Sequence, residues 1–482
     1  MKMRLISLAL LPILALATDL PDLGDSALGD LPLHEERRIS DMVARELRKS
    51  GDVEDDPELN DYLNRLGSKL AASSNDSRVN FRFFPISSAQ INAWAVPGGV
   101  ISVNLGLLVL TQHESELASV MAHEIGHVTQ HHYARMVETQ KGSGLMTLAS
   151  LAVAILAARS NPDAAQGALA ASEGYQLQRY LSFSRDFERE ADRVGMQTLQ
   201  AAGFDAGAMP VFFDRMQHFY RNVDNGAFAF LRTHPVTTER IADSQARAAK
   251  LPYRQWVDSP DYLFMREKAR AIQLGGQDAL RYYEGTTTQK KYAFESAQQY
   301  GFAFALWQAG KFDAAWEHIV AAQKALGGDH PYLASLAVAI RRDQGRFDEA
   351  NTLIKAARAR FPSAPGLVYG EIDLSLRRKN PKEAVSLCAE ALSLKPSDAN
   401  LHKRIAQAYT ELNEQGLAHR ALGEYYALLD EPSAAIQQMQ IALKAGGDFY
   451  QLSAIEARIK ELRASLPVDK HGRAIDEKKD RP

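Results

Sequence analysis

The chain has 482 residues, 46% of them apolar and 24% charged, with a formal net charge of −3. That length asks for about two to four domains, and the composition is that of a globular protein rather than a disordered or fibrous one. There is no basic excess of the kind nucleic-acid binders carry, so no nucleic-acid partner is expected.

Residues 1–17 read as a signal peptide. Lys2 and Arg4 form a positive start, Leu5 to Leu16 a short apolar run, and Ala15-Leu16-Ala17 sets small residues where a signal peptidase cuts, near Ala17. The run falls short of the about 20 apolar residues a spanning helix needs, which favours cleavage over anchoring. The single cysteine, Cys388, rules out an internal disulfide. Export without disulfides fits a bacterial periplasm, where they are permitted but not required. Cys388 lies in a helical pattern and reads as a small buried apolar residue.

Residues 18–34 are rich in Leu, Asp, Gly and Pro and read as a linker. A helical pattern begins near Glu35, through Ile39, Val43 and Leu47, and opens a domain expected over 35–260. Val79 to Ile86 alternates as a strand does. Pro97-Gly98-Gly99, between Ile91 and Val103, predicts a hairpin. The helical pattern returns at Glu114, with Leu117, Val120 and Met121 on one face. Gly144 to Ala158 is almost wholly apolar but short of a membrane span. It reads as a buried core helix or, more sharply, as a lid or a segment in peripheral contact with a membrane.

Residues 261–465 repeat. Ala315, Ala350, Ala384 and Ala418 are separated by 35, 34 and 34 positions. That period is the tetratricopeptide signature, a helix–turn–helix unit in which small residues let two helices approach. Pro331, Pro362 and Pro396 are expected to close successive units by ending their second helices. Ala434-Ala435-Ile436 comes too soon for a regular fifth unit, as happens where an end repeat caps the stack. Residues 466–482 form a polar tail. The expected fold is therefore mainly α: an α+β domain with a small β-sheet, then an all-α tetratricopeptide repeat solenoid.

The chemistry centres on His123-Glu124-Ile125-Gly126-His127. On a helix, residues four apart share a face, so both histidines can address one ion. Glu124, beside the first ligand, can reach a water on that ion and act as its general base. A catalytic zinc needs a third protein ligand and one open position. Gln130 and Tyr133 stand where a metzincin has Gly and His, so His131 and His132 are assigned to a solvent-facing helix surface or a structural contact. Farther on, Glu188 and Asp192 lie four apart on one helical face while Glu190 points the other way. One of these carboxylates could bind metal and the other hold a ligand histidine by its second nitrogen. The alternative is an ordinary charged helix surface.

Together, His123-Glu124-Ile125-Gly126-His127, Glu188-x-x-x-Asp192, Asn92-Ala93-Trp94 and Pro97-Gly98-Gly99 resemble the peptidase family of HtpX and the CAAX prenyl endopeptidases. The export signal and repeat tail are most similar to the family's soluble periplasmic branch. The resemblance implies one Zn²⁺ per chain held by His123, His127 and Glu188, with Glu124 as the base. It implies Asp192 as a second catalytic carboxylate, a proton donor; orienting a ligand histidine is an equally good physical role. It places His234, in Thr233-His234-Pro235, as a candidate regulatory fourth ligand, against the alternative of a surface-loop histidine. Arg240 is a candidate for positioning a substrate carbonyl. The substrates implied are unfolded or misassembled outer-membrane proteins, with the repeats docking on the β-barrel assembly machinery. The rival reading is a repeat-based periplasmic chaperone or assembly scaffold in which proteolysis is secondary.

Overall fold

The computed structural model describes residues 31–74, 76, 78–139, 184–222, 230, 234–251, 256–464 and 466. The expected signal peptide, most of the linker, the apolar stretch 144–158 and nearly all of the polar tail lie outside the described residues. The described chain is mainly helical, with one three-stranded sheet: an α+β protease domain leads into an all-α solenoid. None of its helices is long and apolar enough to cross a membrane.

Helix α1 (Leu33–Ser50) buries Ile39, Val43 and Leu47 and stops at Gly51, whose φ of 75° ends the helix in the left-handed region. Helix α2 (Pro57–Ala72) is capped by Asp56, which accepts the Glu58 and Leu59 N–H groups at 3.0 and 2.9 Å. The sheet runs in the order β1-β3-β2. Strand β1 (Arg82–Ile86) starts three residues later than the alternation suggests and pairs parallel with β3 (Val100–Asn104). Strand β2 (Ala93–Ala95) pairs antiparallel with β3, so the expected hairpin forms. At its turn Gly98 has φ 81°, and a β-carbon there would lie 2.3 Å from the Glu36 carbonyl oxygen. Only glycine lets the turn rest on α1 in this way.

Helix α3 (Leu105–Leu110) continues from β3, and α4 (Glu114–Thr129) follows, buried from Ser115 to Thr129. The N-terminus of α4 is capped from far along the chain. Asp258 accepts the Glu114 N–H at 2.7 Å, and Ser259 donates its hydroxyl to the Glu114 carboxylate at 2.8 Å. The helix ends at Thr129, and His131, held at φ 48°, turns the chain into α5 (His132–Thr139). Helix α6 (Arg185–Ala201) starts at the Ser184 cap. Helices α7 (Ala208–Asn222) and α8 (Thr238–Ala248) complete this part.

Helices α4 and α6 meet at two glycines. A β-carbon on Gly126 would stand 3.1 Å from the Ala191 carbonyl oxygen, and one on Gly195 would stand 3.0 Å from the His123 backbone. The absence of side chains at these points draws the two helix axes together. That approach brings the α6 face carrying Glu188 and Asp192 onto the α4 face carrying His123 and His127.

The C-terminal helices are α9 (Pro260–Leu274), α10 (Gly276–Thr288), α11 (Glu295–Gln308), α12 (Phe312–Leu326), α13 (Pro331–Asp343) and α14 (Phe347–Arg360). They continue as α15 (Pro365–Arg377), α16 (Pro381–Leu394), α17 (Ala399–Glu411), α18 (Gln415–Leu428), α19 (Pro432–Ala445) and α20 (Phe449–Ala464). Ala315, Ala350, Ala384 and Ala418 fall in α12, α14, α16 and α18, and all four are buried. Cys388 is buried in α16. Of the three prolines, Pro331 acts differently from expectation. Pro331 opens α13 at its first position, while the preceding helix α12 ends at the left-handed Gly327. A proline tolerates the first turn because its missing N–H has no helical partner there. Pro362 and Pro396 lie in the turns after α14 and α16. A further helix pair, α19 and α20, follows the four regular units.

The solenoid and the protease part share a core. One cluster of buried apolar side chains runs from Leu59 through Leu105, Tyr262 and Phe264 to Ile340. Lys268 of α9, itself buried, lies 2.7 Å from Glu58 and 2.5 Å from Asp56 at the start of α2. Arg65 of α2 reaches Asp261 at 2.6 Å and the Tyr332 hydroxyl at 2.9 Å.

Candidate metal centre

His123 and His127 project from one face of α4, and their Nε2 atoms lie 3.0 Å apart. Glu188 of α6 comes within 3.5 Å of His123 Nε2 and 3.4 Å of His127 Nε2. His234, just before α8, sets Nδ1 2.9 Å from Glu188 and 3.4 Å from His123 Nε2. One donor atom from each of these four buried residues lies within 4.8 Å of the others, close enough for a single ion. His234 is thus buried against the cluster rather than on a surface loop. It is held by its N–H to the Phe230 carbonyl at 2.7 Å and by stacking on the Phe230 ring, centroids 4.9 Å apart.

The histidines are oriented from behind. Asp192 Oδ1 lies 2.9 Å from His123 Nδ1, which leaves Nε2 facing the cluster. His132 Nδ1 lies 2.9 Å from His127 Nδ1, and His132 Nε2 lies 3.2 Å from Glu190. Burial pushes the His132 imidazole down to about 4, so the ring is neutral and carries one proton. With that proton on Nε2 facing Glu190, Nδ1 accepts from His127 Nδ1–H and turns the His127 Nε2 lone pair to the cluster. Arg135 holds Glu190 at 2.7 Å. The expectation of a solvent-facing His132 is therefore corrected: the left-handed residue His131 breaks the helical phase and turns His132 inward, where it is fully buried. His131 is also buried and contacts Glu36 at 3.2 Å. Of the two readings for these histidines, the structural contact is the one that holds.

Arg240 of α8 takes a role other than carbonyl positioning. Its Nε and Nη2 donate to the two Asp192 oxygens at 2.7 and 2.8 Å, and Nη1 lies 2.7 Å from Glu188. Burial works against ionising Glu188, but its neighbours His234 and Arg240 outweigh it and hold the carboxyl well below the usual range. Burial likewise opposes ionising Asp192, and the His123 hydrogen bond with the Arg240 charge lowers it nonetheless. Both carboxylates are anions.

The donor set fits a divalent cation. Glu124, Glu188 and Asp192 are buried carboxylates, and Arg240 is the buried guanidinium that faces two of them. Three buried carboxylates against one guanidinium need further positive charge, which protonated imidazoles or a bound cation can supply. Among the described residues neither buried Glu124 oxygen has a hydrogen-bond partner, and His234 Nε2 stands 3.3 Å from Oε1. A buried carboxylate left this way calls for a missing polar group, such as a water on a bound ion. Glu190, Arg135 and His132 carried no sequence signal beyond residue type. They act across elements that periodicity does not connect.

The family model for peptidase family M48 matches residues 57–248. The chain is 33% identical over 463 residues to the beta-barrel assembly-enhancing protease of Escherichia coli (strain K12), covering 93% of this chain and 92% of that protein. It is 38% identical over 320 residues to the putative beta-barrel assembly-enhancing protease of Vibrio cholerae, 66% of each chain. A more distant relative is the mitochondrial metalloendopeptidase OMA1 of Schizosaccharomyces pombe, 30% identical over 181 residues, 37% of this chain and 50% of that one.

Proposed function

The chain belongs to peptidase family M48 and is a metalloendopeptidase; from that premise we propose that it uses zinc, works in the bacterial periplasm, and both degrades stalled outer-membrane proteins and assists β-barrel assembly. The observation that carries the catalytic reading is the cluster of His123, His127, Glu188 and His234 with the unbonded Glu124 carboxylate beside it. Zinc is favoured over magnesium or calcium because most of the donors are imidazoles rather than oxygens. Export by residues 1–17 and the names of the full-length relatives support the compartment and the client class. The repeats supply a surface of the kind that recruits partner proteins, here the β-barrel assembly machinery.

His123, His127 and Glu188 hold the ion, one per chain. When bound, zinc supplies a Lewis acid for the scissile carbonyl and a water of lowered pKa. Glu124 takes the proton from the attacking water and returns it to the leaving amine. Asp192 fixes the His123 ring, and His132 fixes His127. His234 occupies the side of the cluster facing Glu124, so as a fourth ligand it would exclude the attacking water and hold the enzyme at rest.

The test is metal analysis paired with casein digestion. Wild type should carry about one zinc per chain. Glu124→Gln should keep the zinc and lose on the order of 10²–10⁴ in rate, the share a general base supplies. Undiminished cleavage by Glu124→Gln would refute this mechanism.

A further inference from the structure

A second cavity, of about 630 Å³, opens where the protease core meets the first repeat helices. Its size is that of ligand pockets. Leu110 of α3, Phe219 of α7 and Phe294 before α11 give it apolar walls. Arg266 and Arg270 of α9 and the exposed Lys291 also line it. Between the two arginines on the same helix stands one carboxylate, Glu267, which accepts from Arg266 Nε at 3.3 Å and from Arg270 Nε at 3.0 Å. His113, also in the lining, lies 3.0 Å from Asp258.

Two guanidiniums share one carboxylate, so a positive charge is left over in a partly apolar cavity of a chain whose net charge is −3. Glu267 engages Arg270 through Nε and Nη2, which leaves Nη1 without a hydrogen-bond partner among the described residues. The Arg270 guanidinium carbon lies over the Tyr282 ring, 5.3 Å from its centroid. A fixed fork with spare donors recognises a planar monoanion, and a carboxylate fits it. The walls beside it suit one or two apolar side chains.

We propose that this cavity binds the free carboxyl terminus of a polypeptide whose last side chains are apolar. The site is separate from the metal centre but touches its support. Ile91 lines the cavity and its carbonyl accepts the Phe230 N–H at 3.3 Å, while the Phe230 ring stacks on His234. A chain end seated in the cavity would lie against Ile91, one backbone hydrogen bond from Phe230.

The experiment uses the full chain as Glu124→Gln, so that binding is read without cleavage and stands or falls apart from the proposed proteolysis. The probe is fluorescein-labelled Gly-Ser-Gly-Val-Leu-Phe, as free acid and as C-terminal amide, followed by anisotropy. The acid should bind about tenfold more tightly than the amide, the scale of one charge-assisted pair. Adding Arg270→Gln should erase that preference. Adding Lys291→Glu, at an exposed position that leaves the core intact, should weaken the acid several-fold and spare the amide. Equal binding of acid and amide, or a preference that survives both substitutions, would overturn the proposal. Tighter binding of decanoate than of the acid peptide would assign the cavity to an amphiphile and overturn it equally.

Discussion

Asp192 Oδ1 lies 2.9 Å from His123 Nδ1, while Arg240 grips the same carboxylate with two donors at 2.7 and 2.8 Å. A carboxylate so placed is an anion with both oxygens engaged. It is suited to holding a ligand ring and poorly suited to delivering a proton.

Asp192→Asn should therefore act through the metal. Zinc affinity should fall by about 10- to 100-fold, as for other partners of ligand histidines. Proteolysis should recover when zinc is added in excess. If zinc affinity is unchanged and kcat alone collapses, Asp192 is a proton donor and the orienting role is lost. Titration against a fluorescent chelator, with casein digestion alongside, separates the two.

His234→Ala should raise basal proteolysis. The substitution removes the fourth donor and leaves His123, His127 and Glu188, so most zinc should remain. The side facing Glu124 then opens to water. Digestion of unfolded casein by both forms, each with its zinc content measured, checks this. Equal or lower activity in the zinc-replete variant would show that His234 does not restrain the enzyme.

Gly195→Ala tests the helix crossing. The added β-carbon would stand 3.0 Å from the His123 backbone, which belongs to a buried helix and cannot swing aside. Helices α4 and α6 must part slightly, at a cost of about 1–3 kcal/mol for overpacking. The larger consequence should be weaker zinc binding, because Glu188 moves away from His123 and His127. Thermal melting with and without a chelator reads both effects. A variant that melts and binds zinc like wild type would show that the crossing does not depend on a glycine at 195.

Lys268→Met tests the join between repeats and protease. Lys268 pairs with Asp56 and Glu58 in a buried setting, and the Ser335 hydroxyl donates to the same Glu58. Removing the ammonium strands the two carboxylates, and loss of one partner from a buried pair costs about 3–5 kcal/mol. The urea midpoint should fall by a matching amount. A shift within error would mean the carboxylates find water or protonate without penalty.

Much of this architecture is written locally in the chain. The spacing of His123 and His127, and of Glu188 and Asp192, needs only the helical period to place each pair on one face. The alanine spacing from Ala315 to Ala418 likewise needs only a repeating unit with a small residue at its helix contact, and all four are buried as that requires. These features are short-range, so one sequence suffices to read them.

The rest was decided by tertiary structure. Which face met which depended on Gly126 and Gly195, whose value lies in what they let approach. The inward turn of His132 is not legible from helical spacing, because the left-handed His131 resets the phase between α4 and α5. His234 and Arg240 are 111 and 117 positions beyond His123 in the chain, yet both close on the metal centre. The core that joins Leu59 to Ile340 spans the proline at 260 where the sequence suggested a boundary. Periodicity encodes the face a segment offers. It does not encode its partner, because the choice rests on shape and charge matched between segments far apart in the chain.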